Sequence, residues 1–423
     1  MPVGKEWSRF LVHAARVKNL SFSHTLPPKD HLRTLRMALP SPSSPFPNLN
    51  RLTLPRVIPL DTTAFIPVLL GPTLHEFSVL VNNADVTCSL LGFLSHQCPE
   101  LRSLTVRHWD ADSLAILPRF QKLQSLVCVS PLLSPTAVSF FALSPFLTSL
   151  SISAPRTIPQ NLESTETFMH LATLSISSIQ DLLLANALLC LVPRQRLCSL
   201  SLSFHEAEPI SHASHVTALV KTISEFRALT ELVIYGDGIA QDSIPRWDLE
   251  PLQRLSSLKK LDISLPGYQW SREALRRTFG LSWPELKSIS LENPASAPSS
   301  IEILGDATLY LPKLSRLKMP IDASIIPEYP VPMGRSTKPV WLLLDDCPIT
   351  EESWPHIAAY IAASYPKAIV STIMLPEPEA DPDDENQHRW WWDVARMVPI
   401  MAMVGQTERS LINEGIVDIR PVF

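Results

Sequence analysis

Three histidines and two carboxylates crowd into the stretch His205-Glu206-Ala207-Glu208-Pro209-Ile210-Ser211-His212-Ala213-Ser214-His215. Imidazole and carboxylate are zinc ligands, and zinc takes three or four of them in tetrahedral array. The helical His-Glu-x-x-His arrangement fails here, because Pro209 stands where the second histidine belongs. The stretch therefore reads as a long polar connection leading into a helix, and no metal is expected. Phosphate chemistry fares no better. There is no Gly-x-x-x-x-Gly-Lys-Ser/Thr loop, and the one Gly-x-Gly, Gly236-Asp237-Gly238, lacks the third glycine of a dinucleotide turn. No Gly-x-Ser-x-Gly elbow presents a nucleophile. The expectation is a protein that is not an enzyme and needs no cofactor.

What remains is recognition, and a second set of residues suits it. Ser103, Thr105, Ser151, Ser175 and Ser201 recur at alternate positions of short apolar stretches, where small hydroxyl side chains leave a smooth, hydrogen-bonding surface. Glu231, Lys260, Asp262, Arg316 and Lys318 hold the equivalent places further along and would add electrostatic selectivity. Arg107, Trp109, Tyr268 and Trp270 lie in adjoining loops and are of the types favoured at binding hot spots. Together these fourteen positions are the candidate partner-binding set.

The elements that must position them repeat along the chain. PELRSLTV (99–106) has the skeleton Leu-x-x-Leu-x-Leu/Ile/Val, and near-copies begin at Leu49, Leu74, Leu101, Leu123, Leu147, Leu171, Leu197, Leu229, Leu258, Leu286 and Leu314. The steps are 25, 27, 22, 24, 24, 26, 32, 29, 28 and 28 residues. A unit of roughly 20–29 residues with this skeleton is the mark of a leucine-rich repeat. Leu104 and Val106 alternate with Ser103 and Thr105, as a strand with one buried face requires. Segments such as 88–97, 135–143, 216–226 and 271–279 carry apolar residues at helical intervals instead. One such unit cannot hide its own apolar edge and must stack on the next. The expected fold is α/β: a leucine-rich-repeat solenoid, a curved right-handed horseshoe with parallel strands on the concave face and helices on the convex face.

Composition narrows the partners. Thirty-six Lys and Arg against 41 Asp and Glu give a net charge of −5, which disfavours nucleic acid as the main ligand. Forty prolines suit rigid connections, and 11 glycines leave little material for phosphate loops. The six cysteines form no Cys-x-x-Cys pair and fall mostly in or beside repeat core positions, as befits a reducing compartment. No signal peptide is recognisable, and the longest apolar run, 181–192, suits a buried helix better than a membrane span. An intracellular protein, cytoplasmic or nuclear, is expected, with a protein partner and no membrane.

In chain order, residues 5–20 predict an amphipathic helix, with Trp7, Phe10, Leu11, Ala14, Val17 and Leu20 near helical spacing. Arg16–Phe22 and His31–Met37 read as degenerate first strands, so 1–39 forms an N-terminal cap. The Pro/Ser stretch 40–48 is a connector. Residues 40–346 carry the array: the repeats run without an obvious break from 47 to about 320, the pattern decays after Lys318, and 339–346 reads as a last strand of divergent sequence, offset from the earlier phase. Residues 347–423 form a helical C-terminal cap: a helix capped around Thr350 and Ser353, a strand near 367–375, a solvated acidic loop at 377–386, and a Trp/Met-rich helix running at least to Val398.

The opening Glu6-Trp7-Ser8-Arg9-Phe10, followed by Ala14-Ala15-Arg16-Val17-Lys18-Asn19-Leu20, resembles the segment after the F-box in fungal F-box/leucine-rich-repeat proteins. Pro40–Leu49 and the Pro-Glu-Leu openings at Pro99 and Pro284 are similar to that family as well. The resemblance implies a substrate-recruiting adaptor of a cullin-RING ubiquitin ligase, in which the repeats hold the target and the F-box holds the ligase. No F-box is recognisable in the six residues before Trp7, so ligase docking is expected only if one lies upstream. The alternative is a standalone structural or regulatory leucine-rich-repeat protein with no ligase role.

Overall fold

The computed structural model describes residues 4–23, 25–39, 44–107, 111–129, 134–158, 167–205, 213–237, 250–265, 282–292, 299–326, 336, 338–344, 347–371 and 382–413. Two compact units result, Met1–Leu197 and Cys198–Phe423, and the boundary falls at the start of the longest repeat step.

In the first unit seven strands pair in sequence order and all in parallel: β1 (Asn19–Ser21), β2 (Arg51–Thr53), β3 (Glu76–Val79), β4 (Ser103–Val106), β5 (Ser125–Cys128), β6 (Ser149–Ser153) and β7 (Thr173–Ile179). The alternation read from the sequence fixes which side faces in. Leu52, Phe77, Leu104, Leu126, Leu150 and Leu174 stand in one register line, and all are buried. The preceding leucines of each repeat, Leu49 to Leu197, are buried too. Each such side chain contributes roughly 1.5–3 kcal/mol by leaving water.

The strands are locked by a recurring backbone device. The N–H groups of Arg102 and Ser103 both donate to His75 O, at 2.8 and 2.9 Å, and those of Gln124 and Ser125 both donate to Arg102 O. Thr148/Ser149 on Gln124 O and Ala172/Thr173 on Thr148 O repeat it. One carbonyl, with two lone pairs, thus satisfies two donors at each of these strand entrances.

Connecting helices begin where the sequence supplies caps. Asn83 Oδ1 accepts from Val86 N for helix Ala84–Gln97, Ser134 Oγ from Ala137 N for Pro135–Leu143, and Asp181 Oδ1 from Leu183 N for Leu182–Cys190. The last of these is the apolar run expected to be a buried helix, and it buries Leu182, Ala185, Leu188 and Leu189.

The second unit has the ladder β8 (Ser199–His205), β9 (Glu231–Asp237), β10 (Lys260–Ser264), β11 (Ser288–Glu292), β13 (Arg316–Lys318), β15 (Val340–Leu343) and β16 (Ala368–Ser371), again parallel throughout. A separate parallel pair joins β12 (Ser299–Ser300) to β14 (Ile321–Asp322). Leu200, Leu232, Leu261, Ile289, Leu317 and Leu342 form its buried rung. The paired donation recurs, with Lys259 and Lys260 on Thr230 O and Lys287 and Ser288 on Lys259 O. Each unit is a leucine-rich-repeat array.

The end of the second unit is held by buried aromatic side chains with polar tips. Tyr365 donates to Leu304 O at 2.9 Å, and Trp391 donates its indole N–H to Cys347 O at 2.8 Å. Trp391, Val394, Val398 and Ala402 bury one side of the helix Pro382–Asn413, which packs on the helix Trp354–Ser364. Trp392, Ile400, Met403 and Val404 of the same helix stay exposed.

Several expectations need correction. His31–Met37 is not a strand: Lys29–Ala38 is a helix. Pro28 fixes the backbone just before it, and Leu32 and Leu35 stand three apart, with Leu32 fully buried. The first helix, Gly4–Ala14, is shorter than 5–20, and Leu20 belongs to β1. The end of the acidic stretch is helical from Pro382, because proline suits a first helical position. Cys190 and Cys198 are exposed, whereas Cys98, Cys128 and Cys347 are buried. Helix Trp354–Ser364 follows a turn in which Thr350 N donates to Ser353 Oγ at 3.0 Å and Ser353 N to Thr350 Oγ1 at 3.2 Å, so both anticipated residues act as a reciprocal pair. The region 271–279 lies outside the described residues.

Candidate partner-binding face

The residues that alternate with the leucine core form rows across each sheet. In the first unit one row runs Asn19, Arg51, Glu76, Ser103, Ser125, Ser149, Thr173, and the next runs Ser21, Thr53, Ser78, Thr105, Val127, Ser151, Ser175. Ser103, Thr105, Ser151 and Ser175 are thus brought onto one surface, half-buried beside one another, with Arg107 just beyond β4. From β4 to β7 the first row holds only hydroxyl side chains, and the second holds them except at Val127. Arg51 and Glu76 close an exposed ion pair at 2.6 Å, which raises the guanidinium pKa through the hydrogen bond first. Exposed pairs of this kind contribute little stability.

The second unit carries the charged part. Its first row is Ser199, Glu231, Lys260, Ser288, Arg316, Trp341, Ile369; its second is Ser201, Val233, Asp262, Ser290, Lys318, Leu343, Ser371. Tyr235, Ser264 and Glu292 continue a third. Ser201, Glu231, Lys260, Asp262, Arg316 and Lys318 therefore share one sheet face. Tyr235 donates its hydroxyl to Asp262 Oδ2 at 2.8 Å. Partial burial, then that bond to a carboxylate, pushes the phenol up to about 12. Asp262 Oδ1 is buried without a hydrogen-bond partner. Lys318 pairs with Glu292 at 2.8 Å, and Ser199 Oγ donates to Glu231 at 3.4 Å.

Tyr235, Glu292, Trp341 and Ile369 escaped the sequence reading. Val340-Trp341-Leu342 alternates buried, exposed, buried, so the period of two was available as a signal. It was hidden because Pro339 stands where the first leucine of the skeleton sets the phase elsewhere, and a run of three leucines, Leu342 to Leu344, blurs which of them faces the core. Trp109, Tyr268 and Trp270, and most of the histidine-rich stretch, lie outside the described residues. Among the described residues no group of three His, Cys, Asp or Glu side chains is placed to hold a metal ion. None of the described helices is long and apolar enough to cross a membrane.

A scan against models of known families finds no match, and no curated protein matches by sequence. Solved structures do resemble the chain at low identity. A chain from the crystal structure of the Rad7 and Elc1 complex in yeast aligns at 15% identity and a TM-score of 0.42, over 75% of this chain and 83% of that one. The leucine-rich repeat-containing protein LegL7 from Legionella pneumophila aligns at 13% identity and a TM-score of 0.34, over 88% and 97%.

Proposed function

We propose that this protein is an interaction scaffold that recognises a protein target on the polar sheet faces and does no chemistry on it. The observation that carries the reading is the division of labour within every strand. One side is committed to the leucine core, and the other presents rows made mostly of small hydroxyl and charged side chains from β3 to β13, interrupted by Val127 and Val233. Such a surface admits close approach by a partner's backbone and supplies directional bonds and charge for selection. The binding residues in this reading are Ser103, Thr105, Arg107, Ser151, Ser175, Ser201, Glu231, Lys260, Asp262, Arg316 and Lys318, to which the sequence adds Trp109, Tyr268 and Trp270.

The finer reading is the target-holding part of a ubiquitin-ligase adaptor of the F-box/leucine-rich-repeat type. Its support is the Glu6–Leu20 segment and the Pro-Glu-Leu openings. Affinity purification with mass spectrometry tests both levels. Partners recovered on the wild-type chain should be lost on Ser151→Arg or Glu231→Arg and kept on Lys221→Glu, which lies on an exposed helix position. Ligase subunits among the partners of the full-length gene product support the adaptor; their absence beside a retained target supports the standalone scaffold. Partners indifferent to both face substitutions overturn the reading.

A further inference from the structure

We propose that the second unit's face binds an acidic peptide segment, with a carboxylate seated over Ser288 between Lys260 and Arg316 and an apolar side chain against Trp341 and Ile369. This deepens the recognition reading above and rests on it. The register places Lys260, Ser288, Arg316, Trp341 and Ile369 on five adjacent strands in a single row. Neighbouring strands are about 4.8 Å apart, so the two cations stand about 10 Å apart at the backbone. Between them lies only a serine, leaving a seat the size of a carboxylate that both long side chains can reach.

Charge accounting on this face singles out the same pair. Asp262 is engaged by Tyr235 and Glu292 by Lys318. Glu231, in register with Lys260 on the other side, takes the Ser199 hydroxyl. Lys260 and Arg316 have no ion-pair partner among the described residues. The hydroxyl bonds leave Asp262 and Glu231 charged, so the complementarity is local: Ser288 and Trp341, the in-register neighbours of Arg316, carry no charge, and a carboxylate over Ser288 is flanked by these two cations. Beside Arg316, Trp341 is 52% exposed and Ile369 42% exposed, in register with each other. A bulky apolar side chain of the partner would cover both and dry the neighbouring ion pair. The seat and Trp341 are two strands apart, about 10 Å, whereas an extended peptide advances about 3.3 Å per residue. The acidic and apolar residues of the partner therefore lie two to four positions apart.

The test is a selection of random dodecapeptides displayed on phage against the full chain, followed by fluorescence anisotropy with synthetic copies. Selected peptides should carry Asp or Glu two to four positions from Leu, Ile, Phe or Trp. Replacing that acid by Gln, or introducing Arg316→Glu or Trp341→Ala, should weaken binding on the order of tenfold. A Lys in place of the acid should restore binding to the Arg316→Glu protein. These are surface changes, and an unchanged melting curve verifies folding. Peptides without the acidic–apolar pattern, affinity insensitive to Arg316→Glu, or binding seen only with phosphoserine in the acidic place would each overturn the proposal. If cellular partners survive Arg316→Glu and Trp341→Ala but not Ser151→Arg, this seat is wrong and the scaffold reading stands. If no face substitution costs a partner, both fall.

Discussion

The Tyr235 hydroxyl and Asp262 Oδ2 meet at 2.8 Å, joining β9 to β10 on the polar side of the sheet. Partial burial, and then this bond, favour the neutral phenol, and its pKa is pushed up to about 12. The folded state therefore holds this proton more tightly than the unfolded state, where the phenol titrates near 10. Its contribution to stability is present in full below about pH 10 and is lost as pH rises toward 12. In Tyr235→Phe that alkaline loss should be smaller, and near neutrality the variant should be destabilised by about 0.5–1.5 kcal/mol. Denaturant melts at pH 8 and pH 11 compare the two proteins directly.

Leu150 and Ser151 are neighbours with opposite duties. Leu150 is fully buried in the rung, while Ser151 faces the polar row. Leu150→Asp removes the apolar burial and places a carboxylate in the core, so it should unfold the first unit or cost more than about 4 kcal/mol. Ser151→Ala should stay within about 0.5 kcal/mol of wild type. Equal losses in urea titrations would contradict the assignment of faces.

Trp391 is buried and bonded to Cys347 O. Trp391→Ala should cost about 3–5 kcal/mol, and Trp391→Phe, which keeps a ring but drops the donor, about 1–3 kcal/mol. Thermal melts of the two variants separate the packing contribution from the hydrogen bond. A Trp391→Phe protein as damaged as Trp391→Ala would show that the N–H dominates.

The cysteines should divide by accessibility. Cys190 and Cys198 are exposed, and Cys98 is buried with its thiol pushed up to about 12 by desolvation. Brief alkylation of the native protein at pH 8 should label Cys190 and Cys198 and spare Cys98, Cys128 and Cys347. Peptide mapping reads the pattern, and early modification of Cys98 would mean that its surroundings open readily.

Some of this was legible in the residues alone because it depends on period and not on environment. A two-residue alternation after each Leu-x-x-Leu can bury only one face, so every rung from Leu52 to Leu174 and the polar rows opposite follow from spacing. The same holds for the helices opened by Asn83, Ser134 and Asp181, whose side chains carry their own capping chemistry. His31–Met37 was misread because a short apolar pair fits either period until its packing partners are known. Trp341 was missed because Pro339 replaces the first leucine of the skeleton before its strand, although Leu342 and Leu344 keep the core positions.

By itself the sequence determined the repeat, its parallel strands and the identity of the core, since local pattern and burial demand the same answer at each copy. Only the tertiary structure decided which side chains from different repeats become neighbours. Tyr235 and Asp262, Lys318 and Glu292, and Arg316 and Trp341 are each 25 to 27 residues apart in the chain yet one strand apart in space. That adjacency is set by inter-strand register, which depends on hydrogen bonds between repeats and on the length of each connection. Neither is a property of any one repeat.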